Sequence, residues 1–481
     1  MIENYFTKWK GNLDNYLSGY LYDETGKINS PRFSFYKMRD YVFDFLEGNF
    51  NEKIILLPGM RGVGKTTILA QLYFLEKYLT GDAKEKSLKN LKHKIYITGD
   101  DLIYNNFELK DFFEYYEKSI GASLETAREK ILILIDEIHF DPKWGLFLKT
   151  FFDKTKKHNN ILVIATGSSA LLLQSNHDLT RRKITEKIYP LSFIEYLKLK
   201  HNIVLDEKIT NRTRRAIFYS KNANEVFKNL SKEEKTVSAY WGKIPDSELE
   251  MEKYFRGGTF PFNLKTDNEA IIFDKINSIL SKIIDEDVLK IKKFDSPTIL
   301  KMPNLLYILG ASEQINLSKI SSSLPLNINT LREILSAFSQ AEILLKLPSY
   351  GTAHSQARKE LKYLFLSPSI RISILKGIMP TGLSGAKLED YSAQIFYRDF
   401  LQTNEANIFY DSSKNGADFI FKFFDMRKII IETGFNKETV DQIYSTDKKV
   451  TSDYGVIAGS KNLELVDNFV VKIPLKYWMI L

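Results

Sequence analysis

A chain of 481 residues with a net charge of +8 and no cysteine has length for roughly three domains, each large enough for its own core. Without thiols, neither a disulfide framework nor a thiolate metal site can be built. No apolar stretch approaches the ~20 residues that span a bilayer, and Met1-Ile2-Glu3-Asn4 lacks the layout of a signal peptide, so a cytoplasmic protein with no membrane partner is expected. The mild positive charge is compatible with nucleic acid, and equally with an ordinary Lys-rich surface.

Residues 1–50 are aromatic and polar and read as an N-terminal helical segment, with an amphipathic helix over Phe33–Leu46. From Ile54 onward, apolar strands and helical segments alternate. Ile54–Leu57, Lys94–Thr98, Ile131–Ile135 and Ile161–Thr166 are the strand candidates, which predicts an α/β core with a parallel sheet covered on both faces over residues 51–197.

Directly after the first strand, Gly59-Met60-Arg61-Gly62-Val63-Gly64-Lys65-Thr66 matches the phosphate-cradling pattern G-x-x-x-x-G-K-[ST]. Glycines let successive backbone N–H groups turn in around a phosphate, and Lys65 adds a point charge near the β and γ phosphates. Thr66 can offer its hydroxyl to Mg²⁺, while Thr67 continues into a helix whose N-terminus faces the anion. ATP and Mg²⁺ are therefore the expected ligands. The third strand ends in Asp136-Glu137, a Walker B arrangement. Asp136 would hold Mg²⁺ and Glu137 would orient and polarise the attacking water. The competing view, that these acids are only the polar first turn of the next helix, leaves the chain order of the two motifs unexplained. A GTPase is disfavoured, since Asn436-Lys437-Glu438-Thr439 lacks the Asp of a guanine-reading motif and lies far downstream. The fourth strand runs into Thr166-Gly167-Ser168-Ser169 at a carboxyl edge, where open α/β sheets bind ligands. Ser168 is read there as a sensor of the γ-phosphate or lytic water, with a plain Gly-Ser turn as the alternative.

Next come Leu179-Thr180-Arg181-Arg182-Lys183 and Tyr189-Pro190-Leu191-Ser192-Phe193. Together with Gly59–Thr67, Asp136-Glu137-Ile138-His139, Trp144 and Thr166–Ser169, this set resembles a widespread prokaryotic family that joins an AAA+-type ATPase module to an uncharacterised C-terminal domain related to the PD-(D/E)xK nucleases. Tyr254-x-x-Gly257-Gly258-x-x-Pro261 also fits that family's lid, with a spacing one residue longer. The resemblance implies a homo-oligomer in which Arg182 stabilises transition-state charge at a neighbour's site.

A helical lid and insertion is expected over 198–300. Between Lys198 and Lys235 it carries ten Lys or Arg against five Asp or Glu, which could meet phosphate backbones or simply form a solvated face. A winged helix is expected over 301–378, with helices at Leu305–Gly310 and Leu317–Leu324 and a third opened by a Thr330-Leu331-Arg332-Glu333 capping box. A hairpin then surrounds the loop Ser349–Glu360, where His354, Arg358, Lys359 and Lys362 could touch phosphates. Because the third helix offers only Arg332, balanced by Glu333 and Glu342, a spacer role competes with DNA reading.

Residues 379–481 read as an α/β nuclease-like domain, with a helix over Lys387–Thr403, strands at Ile408–Tyr410, Asp418–Phe423 and Lys428–Glu432, and a helix over Lys437–Thr446. The resemblance places Glu389, Asp418 and Glu432 where such a fold carries its acids, a candidate second metal site. Where the pattern wants a lysine the chain has Gly434, leaving Lys437 as a substitute, so a degenerate, binding-only domain is expected. The functional expectation is Mg-dependent ATP hydrolysis coupled to DNA, or to assembly on DNA, in a mobile-element or defence setting. The alternative is a nucleotide-dependent switch whose C-terminal domain only binds a partner.

Overall fold

Strands buried on both faces build the first sheet. β1 (Ile54–Pro58), β2 (Leu91–Thr98), β3 (Lys130–Asp136), β4 (Ile161–Gly167) and the two-residue β5 (Ile184–Thr185) are all parallel and lie in the order β2-β3-β4-β1-β5. Every residue of β1 and β4 is buried, the signature of a parallel sheet covered by helices on each side. In the computed structural model, residues 2–79, 83–126, 128–156, 159–168, 179, 181–312, 315–380 and 382–481 are described. The four expected strands are present, β2 beginning at Leu91 rather than Lys94. Register pairs Leu57 with Thr166 and Ile135 with Ala165, so the carboxyl ends of β1, β3 and β4 stand side by side. Two helices, Ile2–Leu21 and Phe33–Glu47, precede the sheet. The first packs Phe6 and Trp9 against Phe112, and the Trp9 indole donates to the Tyr96 carbonyl (2.9 Å).

These elements belong to the first of two units, Met1–Tyr189, and the rest of the chain, Pro190–Leu481, forms the second. The second unit spans the stretch that the sequence suggests dividing at 300 and 378. Its helix Glu207–Phe218, from the basic insertion, buries Phe218 among Phe396, Phe400, Phe421 and Trp478. Arg214 of the same helix meets Asp399 at 2.8 Å and Arg212 meets Glu233 at 2.7 Å. Part of the basic face is thus neutralised within the chain.

Helices Met302–Gly310, Leu317–Ser323 and Ile328–Gln340 then lead into an antiparallel hairpin, β6 (Leu344–Leu347) and β7 (Lys362–Phe365), the order of elements expected for this stretch. The third helix starts earlier than its expected capping box. Asn327 accepts from the Asn329 N–H (2.8 Å) and Thr330 lies inside the first turn, because asparagine is at least as good an N-cap and comes first.

A six-stranded mixed sheet closes the unit: β8 (Ala406–Phe409), β9 (Phe419–Phe423), β10 (Lys428–Thr433), β11 (Tyr454–Ser460), β12 (Glu464–Val466) and β13 (Val470–Pro474), in the order β12-β13-β11-β10-β9-β8. The last three strands were not anticipated. The helix expected from Lys437 begins at Asp441 instead, since Asn436 adopts a left-handed φ of 51° and carries the chain off β10 through an irregular turn.

Candidate functional site

The loop after β1 folds back over the sheet edge and feeds the helix Lys65–Tyr73. Gly62 and Gly64 have φ of +82° and +90°, values that any Cβ would oppose. Gly64 is the N-cap of that helix and no side chain caps it, so its first-turn N–H groups are donors in the form that binds an anion. Met60 and Val63 turn inward at 3% and 0% exposure and anchor the loop, while Arg61, Gly62, Gly64 and Thr67 stay half-exposed. The Lys65 ammonium is buried and donates to the carbonyls of Gly59 (3.0 Å) and Met60 (3.2 Å). Beneath the loop, the buried Arg32 guanidinium donates to the carbonyls of Val63 and Tyr189.

Asp136 ends β3 and is almost fully buried. Thr66 Oγ1 donates to its Oδ2 at 2.6 Å and the Tyr96 hydroxyl to the same oxygen at 3.2 Å, while the Thr166 hydroxyl donates to Oδ1. Burial, then the neighbouring Glu137 carboxylate, push the Asp136 carboxyl up, against the Thr166 and Thr66 hydrogen bonds and the Lys65 charge. Two hard oxygen donors in contact, beside a phosphate-type cradle, suit Mg²⁺, which is held by one or two protein groups and keeps the rest of its shell as water and phosphate oxygen.

Glu137 follows in a left-handed conformation (φ 47°, ψ 43°), a cost of about 1–3 kcal/mol for such a residue and a common mark of a functional turn. Its N–H is held by Thr166 Oγ1 (3.1 Å) and Asp136 Oδ1 (3.2 Å). That backbone aims the carboxylate along the sheet edge, 3.8 Å from Lys65 Nζ and 3.3 Å from His139 Nδ1. The same ring nitrogen lies 3.4 Å from the backbone N–H of Ser168, which joins the Walker B turn to the end of β4. Lys65, Thr66, Asp136 and Glu137 are therefore brought together, with Ser168 linked through His139. Ser169 lies outside the described residues. Arg182 sits against the helix Trp144–Lys154, 3.3 Å from Asp153 Oδ1 and over the Phe152 ring. Tyr96, Thr166 and His139 touch this cluster and Arg32 braces the loop above it, and none of the four was assigned a site role from the sequence. Only His139 and Thr166 were legible at all, as neighbours of motif residues.

In the second unit, the three acids of the candidate second metal site are close, and a lysine ammonium stands between two of them. Lys362, on β7, places its ammonium between Glu389 Oε2 (2.7 Å) and Asp418 Oδ1 (3.0 Å). Burial would lower this lysine, yet Asp418 and Glu389 together raise it above the ordinary range. Burial and then Asp418 push both Glu389 and Glu432 up, the latter to about 8, against Lys362 and Lys437 respectively. Among the described residues no group of three or more His, Cys, Asp or Glu side chains could hold a metal ion. Of the hairpin residues that could touch phosphates, Lys362 is turned instead toward a half-buried pair of carboxylates. Lys437 folds its stem over Gly434, where a Cβ would lie 3.1 Å from its Cδ, and its ammonium reaches Glu432 and the Gln442 side-chain oxygen (2.6 Å).

Residues 51–197 match a family model described as an AAA domain, and residues 248–381 match one described as a domain of unknown function. The uncharacterized protein MJ1637 of Methanocaldococcus jannaschii is 32% identical over 455 residues, spanning 94% of this chain and 89% of that protein. An uncharacterized protein of Haemophilus influenzae is 23% identical over 69% of this chain and 72% of its own length. Among solved structures, the Walker-type ATPase Paby2304 of Pyrococcus abyssi aligns over 71% of this chain and 94% of that one, at 14% identity and a TM-score of 0.36, a slight likeness. The loop, the Asp136-Glu137 turn and all five strands of the first sheet lie within the residues that match the AAA domain. No helix among the described residues is long and apolar enough to cross a membrane.

Proposed function

The chain belongs to the family of the uncharacterized protein MJ1637 of Methanocaldococcus jannaschii, and from that premise we propose that it is a Mg²⁺-dependent ATP hydrolase working as a homo-oligomer in the cytoplasm. One observation carries this reading: Thr66 and Asp136 touch at 2.6 Å while Glu137 stands 3.8 Å from the Lys65 ammonium. The helix N-terminus and Lys65 bind the phosphates, and Thr66 with Asp136 hold the metal. Glu137 takes the role of orienting water and accepting its proton. Bound Mg²⁺ would supply positive charge against the β and γ oxygens.

Thr166 positions both acids at once, as donor to Asp136 and acceptor for the Glu137 N–H. Thr166→Val keeps the volume but leaves a buried donor and a carboxylate oxygen poorly satisfied, a cost of about 1–3 kcal/mol. The expected result is turnover reduced by about one to two orders of magnitude, with ATP affinity little changed, in a steady-state ATPase assay. An unchanged kcat would remove Thr166 from the machinery.

Hydrolysis is coupled, in this reading, to DNA. The net charge of +8 and the exposed His354 and Arg358 on the helix between β6 and β7 support it; the inward-turned Lys362 speaks for the switch alternative. Duplex DNA added to the full chain should raise the ATPase rate, with the stimulation fading steeply as salt rises, because phosphate contacts release counterions. A rate indifferent to DNA at low salt would leave a nucleotide-dependent switch as the function.

A further inference from the structure

Lys362 lies far from the acids in sequence, yet the fold of the second unit brings it to their centre. β7 carries it to the helix Ala386–Phe396, which bears Glu389, and to Asp418 at the start of β9. We propose that the Lys362 ammonium is the resident cation of this acidic site: it fastens the β6–β7 hairpin to the C-terminal sheet and bars a divalent metal from the position between Glu389 and Asp418. This inference does not rest on the reading of the nucleotide site.

The geometry supports it from several sides. A divalent ion approaches carboxylate oxygens at ~2.0–2.6 Å, so the point from which Lys362 Nζ reaches one oxygen at 2.7 Å and another at 3.0 Å is already filled. Three more carboxylate oxygens nearby face donors. Asp418 Oδ2 accepts from the Thr433 N–H and hydroxyl, both at 3.0 Å, and Glu432 Oε2 accepts from the Asp418 N–H at 3.1 Å. Glu432 Oε1 accepts from Lys437. An arriving cation would compete with these hydrogen bonds for the same oxygens. Two ammonium groups set against three carboxylates also meet most of the charge that a metal would otherwise balance.

The clamp has company along the hairpin. The Phe365 N–H donates to Asp390 Oδ1 (2.9 Å), Lys359 Nζ to Ser412 Oγ (2.6 Å) and the Tyr410 hydroxyl to the Glu360 carbonyl (2.6 Å). Backbone hydrogen bonds run from Tyr350 to the Tyr410 carbonyl (2.8 Å) and from Tyr410 to the Pro348 carbonyl (3.1 Å). Lys362 is the member of this seam that pairs with two carboxylates, and its ammonium also lies over the Phe419 ring at 5.5 Å. A sheet whose acids are occupied by lysine does not hydrolyse phosphodiesters through a metal held there.

Two measurements on the full-length chain test the assignment. In thermal unfolding, Glu389→Gln and Asp418→Asn should each lower Tm, by about 2 °C or more, because each removes a partner from a half-buried ammonium. A cluster of carboxylates built for an absent metal gives the opposite sign, since neutralising one relieves repulsion. In Mn²⁺ binding followed by electron paramagnetic resonance on nucleotide-free protein, the parent should show no bound ion that Asp418→Asn removes. Lys362→Met should gain one Mn²⁺ per chain, lost again when Asp418→Asn is added. A rise in Tm for Glu389→Gln, an Asp418-dependent Mn²⁺ in the parent, or a folded Lys362→Met chain that takes up none would each overturn the proposal. Should Lys362→Met fail to fold, the parent and carboxylate arms still decide it.

Discussion

Glu137→Gln is expected to hold ATP and Mg²⁺ while turning over about 10²–10⁴-fold more slowly, the usual worth of a positioned general base. The amide keeps the size of the side chain and leaves the backbone turn, in which the Glu137 N–H is shared by Thr166 and Asp136, undisturbed. It gives up the carboxylate that faces Lys65 at 3.8 Å. Lys65→Ala acts on the other half of the site. Its ammonium is the buried charge beside the loop carbonyls of Gly59 and Met60, and without it ATP binding should fall below detection. Equilibrium binding of a fluorescent ATP analogue, paired with phosphate release, separates the two variants. Parent-rate hydrolysis by Glu137→Gln, or parent affinity in Lys65→Ala, would overturn the assignment of roles.

Arg182→Ala should likewise abolish turnover and leave ATP binding intact, yet regain part of its activity when mixed with Lys65→Ala protein. An arginine supplied by a neighbouring subunit to transition-state charge is worth about 10³–10⁵ in rate. In its own chain Arg182 rests against Asp153 and Phe152 on the helix Trp144–Lys154, an ion pair at a half-exposed position that is cheap to exchange. In the mixture, an intact cradle on the Arg182→Ala subunit can meet an intact arginine on the Lys65→Ala subunit. ATPase rate against mixing ratio is the measurement. Absence of rescue at every ratio would place Arg182 in a purely local role.

The parts of the nucleotide site that were legible in the sequence are those that a short contiguous stretch encodes. Gly62 and Gly64 carry the left-handed angles of the loop, Lys65 and Thr66 follow within the same turn, and an unbroken apolar run delivers Asp136 and Glu137 to the end of a buried strand. Local backbone conformation is what each of these short stretches encodes. Residues that position the site from other strands were less visible. Tyr96 reaches Asp136 from β2 with no pattern that announces it, and Thr166 reaches it from β4, where the strand-end segment drew notice but its hydrogen bond to Asp136 did not. Strands β11 to β13 also passed unrecognised, since short apolar runs separated by turns have little periodicity to read.

In the C-terminal module the division is sharper. The sequence by itself determined that Glu389, Asp418 and Glu432 sit on a helix and at strand ends, and that position 434 lacks a lysine. Only the tertiary structure decided what neutralises them. Lys437 reaches Glu432 by folding over Gly434, and Lys362 arrives from a hairpin 56 residues before Asp418. Which charge fills a buried site depends on the elements the topology packs together, because the desolvation cost of each ion is set by its partners within a few ångströms and not by its neighbours along the chain.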